Sequence, residues 1–476
     1  MLWKLSVFCL LSSVFCPLAN ASEYNWTQTD WSGGEGQLFL EDSTEYYTKS
    51  PSVWDKVDGQ LLLQGSKWEE FYNLTNAQKV YSLVQATDST IYAGTGDNPG
   101  PIYKSKTDGT LWSTIFIHPT WLITNPLLKR SNGYFYTGLS HQSGVRYMIR
   151  NAGEESGPYA DNPLSEATSI NAIIESEGYL ITGAGGASGY IYKQVDAGTV
   201  WTPIATISDN KILCIIKYRG DTLFAGTGNN NGIVVRSTNN GDSWVECTDL
   251  PGAKSVYCLC QGEDSTLYAG TDTSGIIYKT LNGGNTWVEC GDLPLATKVR
   301  SLIYIPTHSA LVAGCECEDD TARVFISIDN GENWIPFGAM HGTKIPYCLL
   351  YTYNGSLFAG TDYNGAIFKA TGFDTSGWFI SSVYNTGDTL GCTEFETISR
   401  NATLNSQIIS AKVRTFPDSL AALNDSATPW DSCIPCTSGQ NISQLPSVVH
   451  GHPWIQYRME LATSNPFVTP LIHDVT

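Results

Sequence analysis

The sequence is short of charge. Asp, Glu, Lys and Arg make up 15% of its 476 residues, against roughly 25% in an ordinary soluble domain. The shortage falls on the cations. Lys and Arg total 27 against 46 Asp and Glu, a formal net charge of −19. A surface of that sign repels phosphate backbones, which excludes general nucleic-acid binding. No long Asp/Glu run exists, so the acidity belongs to a folded surface and not to a tail. Histidine is scarce as well. The 7 His form no His-x-x-x-His or comparable pattern, so no metal centre and no resident cofactor is implied. Calcium, an oxygen-seeking ion, is the one metal that the acidic residues named below would suit. Beyond the first 21 residues no stretch reaches 18 apolar residues, so the mature chain is expected to span no membrane.

What is present begins with a leader. Lys4 supplies a positive start, Leu5 to Leu18 is apolar apart from serines and Pro17, and Ala19-Asn20-Ala21 has the small-x-small form of a cleavage site. The segment is too short for an anchor and lacks a basic stop-transfer flank. Residues 1–21 are therefore expected to be removed, giving a secreted, extracellular or cell-envelope protein that starts at Ser22. Cys9 and Cys16 leave with the leader. Of 13 cysteines, 11 remain, an odd number, so at least one has no partner within the chain.

An internal repeat fills the middle. An apolar-x-Gly motif recurs at Tyr92-Ala93-Gly94, Tyr136-Thr137-Gly138, Ile181-Thr182-Gly183, Phe224-Ala225-Gly226, Tyr268-Ala269-Gly270, Val312-Ala313-Gly314 and Phe358-Ala359-Gly360. The glycine spacings are 44, 45, 43, 44, 44 and 46. Each unit reads as four short strands, A to D, with the glycine in strand B. Seven copies at that period predict an all-β chain built on a seven-bladed β-propeller.

The turn from strand C to strand D carries a sharper motif. Ser327, Asp329, Gly331 and Trp334 fit Ser-x-Asp-x-Gly-x-x-Trp, with looser copies at Ser237–Trp244, Thr280–Trp287, Gln194–Trp201 and Ser105–Trp112. An Asp or Asn side chain can accept backbone N–H bonds across such a turn, glycine supplies a conformation closed to other residues, and tryptophan packs the turn down. On these residues the chain resembles the Asp-box, or BNR-repeat, propellers that include sialidases. The resemblance implies that the box is a structural turn on the outer rim. It does not extend to sialidase chemistry. That needs an arginine triad, a Tyr–Glu pair and an early Phe/Tyr-Arg-Ile-Pro motif, and this chain has no such motif. Arg300 alone, in the strand-A place that Tyr81 and Tyr257 hold elsewhere, is expected to reach the channel.

The ring must close. The seventh repeat loses its pattern after strand C, while Trp68 to Leu74 resembles a strand D ahead of the first repeat. The expected propeller thus runs over 68–378, with 68–74 as closing strand and Trp378 to Val383 as the competing candidate. The flank 379–476 alternates like a β-sandwich. It resembles sandwich modules of bacterial secreted surface proteins, and strands from 22–67 are candidates to join it.

Loops B-to-C and D-to-A share one face, where a ligand is expected. An acidic ladder stands there: Asp97, Asp272 and Asp362, with Glu316, Glu318, Asp319 and Asp320 in an expected turn spanning Cys315 to Asp320. Lys79, Lys211, Lys254, Lys298 and Lys344 form a basic ladder beside it. The ladders read either as Lys–carboxylate pairs between blades or as a polar mouth for a sugar or a cation. Asp272 and Asp362, each in an Ala-Gly-Thr-Asp segment, resemble the strand-end aspartate of xyloglucan-cleaving propellers. That resemblance implies an inverting hydrolase, which would need two carboxyls about 6.5–9.5 Å apart. The cysteines read as structural: Cys214, Cys258 and Cys348 share one strand-A position, and Cys433-Ile434-Pro435-Cys436 lacks the second pair of a zinc site.

The expectation is a non-catalytic binding or scaffold protein that takes a glycan or a surface protein at the propeller mouth. A propeller glycoside hydrolase and an assembly factor for an exported complex are the alternatives.

Overall fold

The computed structural model describes residues 67–373 apart from the short segments 97–99, 117–120, 131–133, 142–145, 152–158, 161–162, 196–198, 208–210 and 229–230. It describes 375–475 apart from 387–392, 404–406, 438, 468 and 470, and only scattered short segments before residue 67. Asp97 lies outside the described residues. The chain divides into two compact units: Lys67–Thr371, and Met1–Ser66 joined with Gly372–Thr476.

The first unit is a series of four-stranded antiparallel meanders. Four of them run in chain order from Ser169 to Ile207, Lys211 to Glu246, Val256 to Asp292 and Ala296 to Met340. An eight-stranded sheet is two more such meanders, Lys79 to Phe116 and Trp121 to Ala160, bridged at Gly96 and Ile123. The last contributes only three strands from Pro346 to Ala370. Its outer place is taken by Trp68–Asn73, paired antiparallel with Ala366–Ala370. Thr371 N–H donates to Lys67 O at 3.1 Å just beyond this pairing. Each innermost strand packs against that of the next meander, and the last, Pro346–Tyr351, packs against the first, Lys79–Gln85. These strands form a closed ring.

The recurrent glycine is where neighbouring meanders press together. A Cβ on Gly226 would lie 2.7 Å from Cys214 Sγ and 2.7 Å from Val256 Cγ1 of the next meander. On Gly360 it would lie 2.7 Å from Cys348 Sγ and 2.7 Å from Val80 Cγ1. No L-residue fits there without moving an inner strand. At several seams the small residue facing the glycine also reaches across. Cys214 Sγ donates to Val256 O at 3.6 Å, Cys258 Sγ to Val299 O at 3.7 Å and Ser301 Oγ to Pro346 O at 3.4 Å. Burial pushes the Cys214 and Cys348 thiols up to about 12, so they stay neutral. The ten described cysteines, Cys433 and Cys436 included, are free thiols.

The turn from Ser327 to Trp334 is held by its own side chains. Asn330 and Gly331 stand at φ 59° and 80°. Gly331 N–H donates to Ser327 Oγ at 2.9 Å, and Asn333 N–H to Asp329 Oδ1 at 2.9 Å. Trp334 Nε1 donates to Cys290 O of the preceding meander at 3.0 Å, so this turn also ties neighbours together.

The second unit brings both flanks into one fold. Thr48–Lys49 pairs with Ser376–Ile380 in a sheet that also holds Tyr384–Asn385, Ile408–Phe416 and Trp454–Ala462. Leu61–Leu63 pairs with Leu471–Val475 in a second sheet with Val53–Asp55 and Arg400–Thr403. One core draws on both sheets, with Phe379, Val413, Tyr457, Met459, Ile472 and Val475. Residues 372–378, placed with the propeller from sequence, belong to this unit. Ser376–Ile380 pairs with Trp454–Ala462 here, which removes Trp378 from the contest to close the ring. Leu5–Cys9, within the expected leader, pairs with Tyr24–Trp26 and Thr393–Thr397 in the full chain.

Gly226→Ala is expected to lower stability by about 1–3 kcal/mol, the usual penalty for an overpacked site. Thermal denaturation followed by circular dichroism measures it. Gly178→Ala separates packing from backbone strain: nothing lies within 4 Å of its Cβ position, so any loss there comes from its φ of 78°, a conformation Gly226 does not adopt.

Candidate functional site

Every regular inner strand carries an irregularity at the same place, and Ala296–Ile305 has a second one at Thr297. The register with its neighbour slips between Val80 and Ser82, Ile170 and Ala172, Ile212 and Cys214, Val256 and Cys258, Val299 and Ser301, and Pro346 and Cys348. The skipped residues are Tyr81, Asn171, Leu213, Tyr257, Arg300 and Tyr347. All are half-buried, and each follows a buried residue. A bulge redirects its extra side chain out of the strand's normal alternation. Here it happens near the start of the inner strand, on the face where strand B ends.

Four of these residues form an arc across consecutive meanders. The Arg300 guanidinium lies 4.2 Å from the Tyr257 ring centroid. The rings of Tyr347 and Tyr81 lie 4.6 Å apart. Burial, with Tyr81 and Asp362 adding to it, pushes the Tyr347 phenol above its ordinary value, while Arg300 opposes the shift. Tyr347 is thus a neutral hydroxyl beside a fixed cation.

Glu316 anchors that cation. Arg300 Nε and Nη2 reach Glu316 Oε2 at 3.0 and 2.7 Å, and Lys298 Nζ reaches Oε1 at 3.1 Å. The Glu316 side chain is 8% exposed. Burial alone would raise its carboxyl, but Arg300 and then Lys298 outweigh it and hold it below the usual range. Two cations share one carboxylate, so the cluster keeps a net positive charge inside an acidic protein. Sequence placed Glu316 in a turn. It lies instead within Ala310–Cys317, because the strand continues through Cys315 and Cys317, both buried.

The other acidic candidates have structural partners. Asp272 Oδ1 accepts the backbone N–H groups of Lys254 and Ser255, each at 2.9 Å. Asp362 Oδ1 accepts those of Lys344 and Ile345 at 3.1 and 3.0 Å, plus the Thr343 hydroxyl at 2.5 Å. Both aspartates staple the loop that enters the inner strand of their own meander. The pairing is with the lysines' backbone, not with their ammonium groups, which corrects the expected Lys–carboxylate ladder at these positions. Asp319 forms a bidentate pair with Arg323, at 2.6 and 2.6 Å, that pulls its carboxyl down to about 2. Asp320 pairs with Lys344 Nζ. Glu318 is exposed, and its N–H donates to Leu295 O at 3.0 Å. Among the described residues no three His, Cys, Asp or Glu side chains converge as a metal site would need.

A family model described as a DUF6242 beta propeller domain matches residues 157–384. The ring unit is a β-propeller. A streptogramin B lyase structure is similar to this chain at 16% identity and a TM-score of 0.53, over 64% of this chain and 98% of the lyase. The GH74 xyloglucanase of Xanthomonas campestris is similar at 12% identity and a TM-score of 0.51, over 67% of this chain and 54% of the enzyme. The GH74 enzyme of Niastella koreensis is similar at 14% identity and 0.51, over 73% and 60%. The chain therefore spans little more than half of either GH74 enzyme. At these identities the likeness is one of fold. A search of curated proteins finds no match.

Sequence reasoning named Arg300 and Glu316 but not their pairing, and it missed Tyr347. Its signal was available: Tyr347 stands in the same repeat position as Tyr81 and Tyr257.

Two outcomes are expected. Asp272→Ala should cost roughly 1–2 kcal/mol, the value of a lost side-chain-to-backbone cap, while Asp272→Asn, which keeps an acceptor oxygen, should cost less. Melting temperatures of the two variants check this. Second, the carboxyl of Glu316 is held down in the folded state, so its stabilisation is present above the unfolded value of about 4.3 and is lost as pH falls through the folded value. Glu316→Gln should lose less stability than the wild-type chain between about pH 6 and pH 3. Equal losses in a urea titration series would refute the assignment.

Proposed function

We propose that this is a secreted or cell-surface binding protein, without hydrolytic activity, whose propeller mouth takes a ligand on the Tyr257–Arg300–Tyr347–Tyr81 arc. That arc carries the proposal. It combines aromatic faces, a neutral phenol and a guanidinium fixed from below by Glu316, which is a preorganised surface for recognition. A glycan is the favoured ligand, because rings and fork-shaped donors suit a polyol better than they suit a flat apolar partner. A surface protein is the alternative. The export reading rests on the leader at 1–21. Among the described residues no helix is long and apolar enough to cross a membrane.

The structural work of Asp272 and Asp362 supports binding over hydrolysis. Each carboxylate offers one oxygen to the backbone of the loop that enters its own meander's inner strand, and the two do so in the same way. An inverting hydrolase needs two carboxyls in different roles, an acid and a base.

A glycan array and a hydrolysis screen with the wild type, Arg300→Gln, Asp272→Asn and Asp362→Asn test the proposal. Binding that falls about tenfold or more in Arg300→Gln, with no turnover by any form, supports it. Turnover that disappears in either aspartate variant overturns it in favour of a glycoside hydrolase. Recovery of one exported partner with the wild type but not with Arg300→Gln, and no glycan bound, would favour an assembly factor. N-terminal sequencing of the exported protein should begin at Ser22.

A further inference from the structure

The outward face of the larger sheet in the second unit holds a groove of about 480 Å³, within the ordinary size range of small-ligand sites. Strand register explains it. Ser410, Glu460 and Trp378 stand side by side on three neighbouring strands, as do Ile408, Ala462 and Ser376, and then Lys412, Arg458 and Ile380. The alternate residues Phe379 and Met459 face the core. Ala462, Ser376 and Ser410 are small, so the middle of the face is a depression. Ile408, 67% exposed, bounds one side and Trp378 the other. Ser50 holds Trp378 by its backbone, accepting the Trp378 N–H on Oγ at 3.0 Å and donating its own N–H to Trp378 O at 2.8 Å.

The head of the groove is charged and built. The Arg458 guanidinium lies 4.8 Å from the Trp378 ring centroid. Lys412 Nζ is 3.0 Å from Glu460 Oε1, and Arg458 Nε is 3.2 Å from the same oxygen. Ser410 Oγ is 3.4 Å from Glu460 Oε2. The Arg458 contact lacks the alignment of a hydrogen bond, so Nε is a buried donor without an acceptor among the described residues. Arg458 is the planar fork that matches a carboxylate, and here its Nε is not taken up by a hydrogen bond among the described residues. Two cations share the single carboxylate of Glu460, which leaves positive charge on a protein of net charge −19.

We propose that this groove binds an acidic saccharide. The apolar face of a sugar ring lies against Trp378 and Ile408, its carboxylate meets the Arg458 guanidinium with Lys412 behind it, and its hydroxyls meet Glu460 and Ser410. The site is separate from the propeller mouth and stands whether or not the mouth binds a glycan. A neutral sugar would leave the Arg458 fork unmatched, and a purely apolar ligand would strand Glu460 as well.

The test is calorimetry on the full chain with trigalacturonate and with neutral trigalactose. Trigalacturonate should bind, weaken as salt rises, and lose at least about tenfold in affinity in Arg458→Gln and in Trp378→Ala. The neutral trimer should bind at least about tenfold more weakly. Any trigalacturonate bound at the mouth is lost in Arg300→Gln and kept in Arg458→Gln, so the binding lost in Arg458→Gln alone reports this groove and separates its failure from failure of the mouth. Because Trp378→Ala also removes packing from the sheet, Arg458→Lys serves as the second variant: it keeps the charge, loses the fork, and should still weaken binding at an unchanged melting temperature. No binding by the wild type, equal affinity for the neutral trimer, or unchanged affinity in Arg458→Gln would each overturn the proposal.

Discussion

Along the ring, the next inner strand occupies the space that a side chain on the ladder glycine would fill. Cys214 and Val256 crowd Gly226, and Cys348 and Val80 crowd Gly360. That steric constraint sets the distance between neighbouring meanders. It also explains why the facing residue is small: at Cys214, Cys258 and Ser301 the side chain reaches the carbonyl across the seam without widening it. Interiors packed to this density do not yield to one extra methyl group without moving a backbone.

The same constraint generates the candidate site. The residue just before the small one cannot continue the regular alternation into the seam. In the regular strands the backbone bulges there, and Tyr81, Asn171, Leu213, Tyr257, Arg300 and Tyr347 are turned out of the ladder. Architecture fixes the position and leaves the identity free. Over four consecutive meanders the identities are three tyrosines and an arginine, and Glu316 holds the arginine by two of its nitrogens. The ring's geometry is repetitive, while its chemistry is concentrated on one arc.

Much of the fold was legible in the residues. The glycine period gave the repeat because its cause is local and recurs at every seam. The outer place of Trp68–Asn73 was legible for the same reason, since its pattern matches the other strands D. The site was less legible. Arg300 and Glu316 are sixteen positions apart, and their pairing depends on register, with a bulge between them that no propensity signals. Asp272 and Asp362 misled in another way. Their Ala-Gly-Thr-Asp context is a real strand end, but the carboxylate's partner is backbone from the preceding loop, and backbone donors leave no trace in side-chain patterns. The boundary at Gly372 was missed because Trp378 looks like any other strand-D tryptophan until its partner, Trp454–Ala462, is known.

The closing pair also imposes an order on folding. Lys67 and Thr371 are 304 positions apart yet hydrogen-bonded. A chain made from its N-terminus releases Trp68–Asn73 long before its partner strand exists, so the earliest strand of the ring is the last to be paired. Until Ala366–Ala370 emerges, it is an unpaired edge with an apolar tryptophan, which is the kind of segment that seeks the wrong neighbour. Long-range pairing of this sort is slow. A cell that makes this protein has to keep one short strand unattached for well over half of synthesis.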